Sequence, residues 1–104
     1  IEKVWYGAHA GDHFIYPDCR PEFLESMNNV AQKCHTTPIT VQAPFLHLTK
    51  AEIVKLGLDI DLDYSQTWTC YEGQTLSCGK CGSCNERLEA FLINDAVDPL
   101  QYQS

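Results

Sequence analysis

Basic side chains are scarce in this 104-residue sequence. Lys and Arg number 7 against 14 Asp and Glu, which gives a formal net charge of −7. Proteins that bind nucleic acid present a basic surface to the phosphates, so this balance disfavours a nucleic-acid partner. The sequence also has no apolar run long enough to span a bilayer and no signal-peptide pattern, so we expect neither membrane binding nor export. Internal repeats and low-complexity tracts are absent as well.

Cysteine, by contrast, is concentrated in one stretch. Four of the six cysteines follow the pattern C-x7-C-x2-C-x2-C, and they are Cys70, Cys78, Cys81 and Cys84. A C-x2-C step turns the backbone so that both sulfurs face one point, and Gly79 and Gly82 supply the permissive dihedrals. Zinc takes four thiolates at about 2.3 Å in a closed tetrahedron. The spacing therefore predicts a structural zinc ion, which would also stabilise a chain too short for a large core.

Other uses of these cysteines stay open from the sequence alone. An iron–sulfur run of the ferredoxin type ends in Cys-Pro, whereas Asn85 follows Cys84 here. Disulfides between neighbours in a C-x2-C-x2-C run would close very small, strained loops. Redox or nucleophilic cysteine chemistry is a further alternative. Because reduced cysteines go together with the missing export signal, we expect a cytoplasmic protein.

Two apparent catalytic motifs in the same stretch lack required residues or spacing. Residues 81–84 match the start of the papain-type signature, but no histidine follows His47 to act as the partner. Residues 73–80 resemble a phosphate-binding loop, but the gap is one residue too long. Lys80 is also followed by Cys81 rather than by the Ser or Thr that would hold magnesium.

The first half of the chain has the pattern of an α/β unit. Residues 4–8 predict a buried strand, and residues 39–43 predict a second strand that Pro44 ends. Between them, apolar residues at helical spacing predict a helix that begins at Pro21 and buries Cys34 on its apolar face. A strand, a helix and a second strand favour a βαβ unit with a parallel sheet.

The second half is predicted to be helical on both sides of the cysteines. A capping box predicts a short helix that Gly57 would end, and a closing helix is predicted over residues 86–93. Lys80 and Arg87 are close enough in sequence to offset the negative charge of the thiolates. We expect residues 97–104 to form a frayed tail.

The loop over residues 9–20 is unusually rich in reactive side chains. It contains two His, two Asp, a Tyr, a Cys and an Arg. Loops that follow the carboxyl end of a strand in an α/β sheet are common ligand sites. An ordinary turn in which Asp18 caps the following helix explains the same residues, and spacing alone does not separate the two interpretations.

Three segments of the chain form one combined sequence pattern. They are residues 7–12 leading into Tyr-Pro-Asp-Cys-Arg at 16–20, then residues 44–54, and finally residues 67–71 with Cys-Gly-Lys-Cys-Gly-Ser-Cys at 78–84. This combination resembles the C-terminal half of the 7-cyano-7-deazaguanine synthase family, which acts in queuosine and deazapurine biosynthesis. The resemblance covers nearly the whole chain.

The resemblance implies an ATP-dependent carbon–nitrogen ligase that converts 7-carboxy-7-deazaguanine and ammonia to the nitrile through adenylated intermediates. Carboxylate oxygen is a poor leaving group and AMP a good one, and the charge that develops on phosphate needs donors and magnesium nearby. A homodimer is implied as well. In fold, residues 1–57 would be the C-terminal portion of a Rossmann-like nucleotide-binding α/β domain, and residues 58–104 a small helical zinc-binding lobe with four cysteine ligands.

By the same resemblance, Tyr16, Asp18 and Arg20 are candidates for the substrate pocket. Asp can accept hydrogen bonds from guanine-like N–H groups, Arg can pair with a carboxylate or phosphate, and Tyr can stack on the deazapurine. The family's phosphate loop, Ser-Gly-Gly-x-Asp-Ser, is not in this sequence, which begins at Ile1 without Met. We therefore expect an upstream half without which the chain is inactive, and we assign no catalytic or nucleotide-binding residues.

Two other functions fit the residues. One is a zinc-stabilised, non-catalytic interaction module that uses the acidic stretch at 59–63. The other is a different ATP pyrophosphatase that acts in tRNA modification, because related enzymes share a segment like 44–54. The acidic balance disfavours this second alternative.

Overall fold

The computed structural model describes residues 2–104. The chain forms two compact units, of which the first ends at Thr49 and the second spans Lys50–Ser104. The predicted division after residue 57 concerns the functional parts of a longer protein and stays a prediction. Within the described residues, no helix combines the length and the apolar character needed to cross a bilayer.

The first unit is built from two strands and the helix between them. The elements are β1 (Lys3–Trp5), α1 (Pro21–Ala31) and β2 (Thr40–Gln42). The strands pair in parallel with Val4 opposite Val41, so the predicted βαβ unit is confirmed. In the described part of the chain the sheet has these two strands. Two strands do not define a Rossmann-like sheet, which stays a prediction.

Side-chain hydrogen bonds hold α1 against β2. The helix begins at Pro21, where a missing N–H costs nothing. The Asn28 side chain accepts from the Val41 N–H at 2.7 Å and donates to the Val41 carbonyl at 2.8 Å. The ring of Phe23 meets the edge of Tyr6 with centroids 6.5 Å apart. These contacts pack α1 against the sheet.

Two expectations for this unit are wrong. Lys3–Trp5 is exposed rather than buried, and Trp5 is 68% exposed. Pairing with β2 satisfies backbone groups of β1, whereas burial of its side chains requires elements packed on the faces of the sheet. Cys34 is also exposed, because α1 ends at Ala31 and the apolar spacing continues past the last helical turn.

The second unit packs two helices against each other. They are α2 (Lys50–Asp59) and α3 (Gly82–Ile93). Its apolar core consists of Val54, Ala90 and Phe91, with the ring of Tyr64 packed edge-on against Phe91 at a centroid distance of 5.1 Å. A core of this size leaves the cysteine stretch to be held by other means.

Gly57 lies inside α2 and does not end it, contrary to the prediction. The helix continues to Asp59, and the left-handed position that follows is taken by Asp61, with φ 56°. The position of the Tyr64 side chain explains why residue 57 is a glycine. A Cβ atom at Gly57 would lie 2.0 Å from the Tyr64 hydroxyl, which donates to the Val54 carbonyl at 3.0 Å.

The segment after α3 is not a frayed tail, so that expectation is wrong too. Ser77 and Tyr102 form an isolated parallel bridge. The N–H of Gln103 donates to the Ser77 carbonyl at 2.8 Å. The sequence around residues 101–103 does not predict this contact, because the partner residue Ser77 lies more than twenty residues upstream.

We expect Gly57→Ala to destabilise the protein. The clash with Tyr64 costs about 1–3 kcal/mol, and the better helix propensity of Ala offsets up to about 1 kcal/mol of it. Urea-induced unfolding measures the net loss. Combining the change with Tyr64→Phe removes the clashing oxygen and is expected to cost less than the sum of the single changes. Gly82→Ala is the matched control, because nothing lies within 4 Å of its Cβ position; an equal loss there would contradict the clash.

Candidate metal centre

The structure brings the four predicted ligands together into one cluster, here called the cysteine cluster. Their sulfur atoms all lie within 4.8 Å of one another. Three of the four residues are buried, and Cys81 is half-buried. All six cysteines of the chain are free thiols. The cysteine cluster could hold a metal ion such as zinc.

The spacing of the sulfurs fits a single tetrahedral ion. Four sulfurs at about 2.3 Å from one zinc are about 3.8 Å apart, and the Sγ atoms of Cys78 and Cys84 are 4.0 Å apart. A disulfide needs about 2.05 Å. An iron–sulfur cluster would separate the thiolates further, because several iron and sulfide atoms lie between them. The geometry therefore favours the single-ion interpretation over those two alternatives.

Backbone N–H groups surround the sulfur of Cys70. The donors are Glu72 at 3.4 Å, Gly73 at 3.1 Å and Cys78 at 3.3 Å. Hydrogen bonds to a sulfur favour its thiolate form. The N–H of Cys78 has the largest effect and lowers the pKa of Cys70 to about 6, although burial opposes it.

Backbone N–H groups also point at the sulfurs of Cys78 and Cys81, whereas burial has the largest effect at Cys84. Cys78 accepts from the N–H of Lys80 at 3.3 Å and of Cys81 at 3.2 Å. The backbone N–H of Tyr71, followed by that of Cys84, lowers the pKa of Cys81. Cys84 is only 1% exposed, and burial raises its pKa to about 12. A bound cation lets such a thiol ionise beside charged neighbours, so the donor set fits a divalent ion.

Polar side chains beside the cluster fix the segments that carry the ligands. The Trp68 indole donates to the Cys70 carbonyl at 2.8 Å, and the Ser83 hydroxyl donates to the Thr69 carbonyl at 2.7 Å. The second contact ties the residue before Cys70 to the first turn of α3. Gly79 has φ 73°, a left-handed conformation that favours glycine.

Arg87 has a different role from the one expected. Its guanidinium binds Asp98 through two hydrogen bonds, Nε to Oδ2 at 2.7 Å and Nη2 to Oδ1 at 3.0 Å. Their side chains are 4% and 2% exposed. Arg87 also donates to Thr67 Oγ1 at 2.8 Å and to the Tyr64 carbonyl at 3.2 Å. Its charge is therefore paired with Asp98 rather than with the thiolates.

Asp98 is the residue that sequence reasoning missed. Burial opposes its ionisation, but hydrogen bonds from Arg87, Tyr102 and the Leu100 N–H hold its pKa below the ordinary 3.8. A lowered carboxyl pKa contributes stability above pH 3.8, which is lost as the pH falls through the lowered value. The pair is thus intact at neutral pH. Burial, and then Asp98, raises the pKa of Tyr102, whose hydroxyl keeps its proton and donates to Asp98.

The three substrate candidates lie in the first unit, at the turn Pro17–Cys19. Tyr16 and Asp18 are exposed. Asp18 does not cap α1, since the N-cap is Arg20 and no side chain caps the helix. Of the three candidates only Arg20 lines an open cavity of about 550 Å³, which is also lined by His13 and Phe14 of the loop and by Pro21, Glu22 and Glu25 of α1. The structure therefore gathers the three on one turn but places a single one at the cavity.

His13 is a further polar residue at this cavity. Its carbonyl accepts from Arg20 Nε at 2.7 Å. Its Nε2 atom is buried and has no hydrogen-bond partner among residues 2–104. In the sequence, the only signal that included His13 was the concentration of reactive side chains in the loop over residues 9–20.

Comparison with known proteins decides the family. Residues 1–95 match the family described as Queuosine biosynthesis protein QueC. The chain belongs to this family. It is 59% identical to the 7-cyano-7-deazaguanine synthase of Hahella chejuensis over 99% of this chain and 45% of the relative. For the 7-cyano-7-deazaguanine synthase of Marinomonas sp. the identity is 57%, over 98% of this chain and 47% of the relative.

These relatives confirm the resemblance found in the sequence. The chain spans about half the length of the curated relatives it matches.

We expect Arg87→Lys to destabilise the protein by about 2–4 kcal/mol although the charge is kept, because an ammonium cannot reproduce the fork that binds Asp98, Thr67 and the Tyr64 carbonyl. Urea-induced unfolding at neutral pH measures the effect. Lys55→Ala serves as the control. It removes an exposed ion pair to Asp59, and such pairs contribute under about 1 kcal/mol. Similar losses for the two variants would show that burial of the Arg87 pair does not matter.

Proposed function

We propose that this chain is the C-terminal part of an ATP-dependent ligase that converts 7-carboxy-7-deazaguanine and ammonia to 7-cyano-7-deazaguanine through adenylated intermediates. The observation that carries the proposal is the 59% identity to a synthase over 99% of the chain. The upstream half of the full-length protein would supply most contacts to ATP and magnesium. The chain alone is then inactive, and the full-length protein is proposed to be a cytoplasmic homodimer.

The cysteine cluster is proposed to hold a structural zinc ion. Four protein ligands fill the coordination sphere, so the ion would have no open position for a water or a substrate. Its contribution is to fold and fix residues 70–84. The backbone donors around the sulfurs and the sulfur spacing support this role.

Arg20 is proposed to bind the carboxylate of the substrate or a phosphate of the nucleotide. Its Nε is held by the His13 carbonyl at 2.7 Å, which orients the guanidinium. The two terminal nitrogens have no hydrogen-bond partner in the described part of the chain, and the side chain lines the cavity. A fixed guanidinium pairs with planar oxyanions through two parallel hydrogen bonds.

Asp18 and Tyr16 are proposed to recognise the deazapurine. An exposed carboxylate can accept from the ring N–H and the exocyclic amine. An aromatic ring beside it can stack on the heterocycle. Their place on the same turn as Arg20 supports a shared site. The names of the relatives give no support to an interaction module or to a tRNA-modifying enzyme.

Zinc binding is tested on purified full-length protein. We expect one zinc per chain, a lower thermal midpoint after treatment with a strong chelator, and loss of zinc in Cys84→Ser. Cys34→Ser is the matched control, because that thiol is exposed and lies outside the cluster. Sulfurs joined as disulfides, or a thermal midpoint that chelation leaves unchanged, would overturn the metal centre.

The reaction is tested by release of pyrophosphate that depends on 7-carboxy-7-deazaguanine, again with full-length protein. Loss of a charged hydrogen-bond pair costs about 2–3 kcal/mol, so Arg20→Ala is expected to lower kcat/KM by about 30- to 100-fold. Arg20→Lys restores charge without the fork and is expected to recover part of the rate. Lys33→Ala removes an exposed cation beyond α1 and is expected to change nothing. Absence of pyrophosphate release in the unaltered protein would refute the proposed function.

A further inference from the structure

Residues 98–103, here called the strap, contact the backbone beside Cys78. Ser77 directly precedes that ligand and is 1% exposed. Its N–H donates to the Gln101 carbonyl at 3.3 Å, and its carbonyl accepts from the Gln103 N–H at 2.8 Å. The two hydrogen bonds fix the path of the chain into residues 78–84.

The strap also reaches the helix that carries Cys84. Tyr102 packs against the cysteine cluster, and its ring lies 3.3 Å from the Cβ position of Gly79. Its hydroxyl donates to Asp98, and Asp98 binds Arg87 through both carboxylate oxygens. Arg87 lies one turn after Cys84 on α3. A continuous path of contacts thus joins both ends of residues 78–84 through the strap.

The same guanidinium holds the segment that leads to Cys70. Arg87 donates to Thr67 Oγ1 and to the Tyr64 carbonyl. The buried ion pair therefore contacts, directly or through the strap, each stretch that carries ligands. None of residues 98–103 belongs to the apolar core of the unit. The strap contacts the ligand-bearing segments instead of that core.

We propose that the strap is a positioning element of the metal centre, which holds the cysteine cluster in its metal-binding arrangement and slows loss of the ion. This inference rests on the proposed zinc site. Asp98 and Tyr102 touch no metal and act through Arg87, Ser77 and the backbone around the ligands. Residues that orient metal ligands without binding the ion themselves typically contribute about 10- to 100-fold to metal affinity.

The test measures transfer of zinc from full-length protein to the chromogenic chelator 4-(2-pyridylazo)resorcinol. We expect Asp98→Asn to release zinc about 10- to 100-fold faster than the unaltered protein. Tyr102→Phe, which removes a single hydroxyl, is expected to show a smaller acceleration in the same direction. Cobalt(II)-loaded protein adds a second readout, since a displaced ligand changes the thiolate-to-cobalt absorption. Tyr102→Phe keeps the test decisive where Asp98→Asn does not fold.

Two controls separate positioning from general stability. Asp95→Asn makes the same charge change at an exposed residue with φ 53°, a conformation that Asn tolerates. Asn28→Ala removes the hydrogen bonds to Val41 in the first unit and lowers stability away from the cluster. Zinc release unchanged by both controls and accelerated by the strap variants supports the proposal. Equal acceleration of zinc release in Asn28→Ala, or no acceleration in the strap variants, overturns the positioning role of the strap. If the unaltered protein contains no zinc, the proposed metal centre is overturned as well.

Discussion

The ion pair between Arg87 and Asp98 organises the second unit. Taking both charges out of water is costly, and the pair is stable only because nearly every donor and acceptor is satisfied. Arg87 uses three nitrogens for four hydrogen bonds, and Asp98 also accepts from Tyr102 and from the Leu100 N–H. Three stretches that are distant in sequence must meet for this to happen. The meeting of these stretches is also what aligns the cysteine cluster.

The cysteine cluster and the ion pair together provide what the small apolar core does not. Val54, Ala90 and Phe91 stabilise the packing of α2 on α3 but do not reach residues 70–80. That stretch has no regular helix or strand. Its backbone N–H groups are instead directed at sulfur, as at Cys70. A metal ion that holds these sulfurs would therefore stabilise the fold directly, because the same bonds order the backbone.

The sequence predicted those features that local spacing encodes. The C-x2-C steps located the cysteine cluster, and the alternation of strand and helix predicted the parallel βαβ unit. Gly57 was misread because glycine ends helices and also admits close neighbours, and only the position of Tyr64 distinguishes these uses. Asp98 and Tyr102 were missed because they lie outside the helices and strands, where no periodic pattern predicts a contact with Arg87 or with Ser77. Exposure of β1 depends on which elements cover the faces of the sheet, and the residues of the strand alone do not encode that.

The two units differ in the chemical groups that they contain. In the second unit, the most buried charges are paired with each other, and the four clustered thiols could hold a metal ion. In the first unit, the His13 carbonyl holds Arg20 Nε, and the two terminal nitrogens of Arg20 have no hydrogen-bond partner among residues 2–104. An oriented cation with spare donors is the arrangement that stabilises developing phosphate or carboxylate charge. Under the proposed function, substrate recognition would fall to the turn at Arg20, and the metal ion would stabilise the fold.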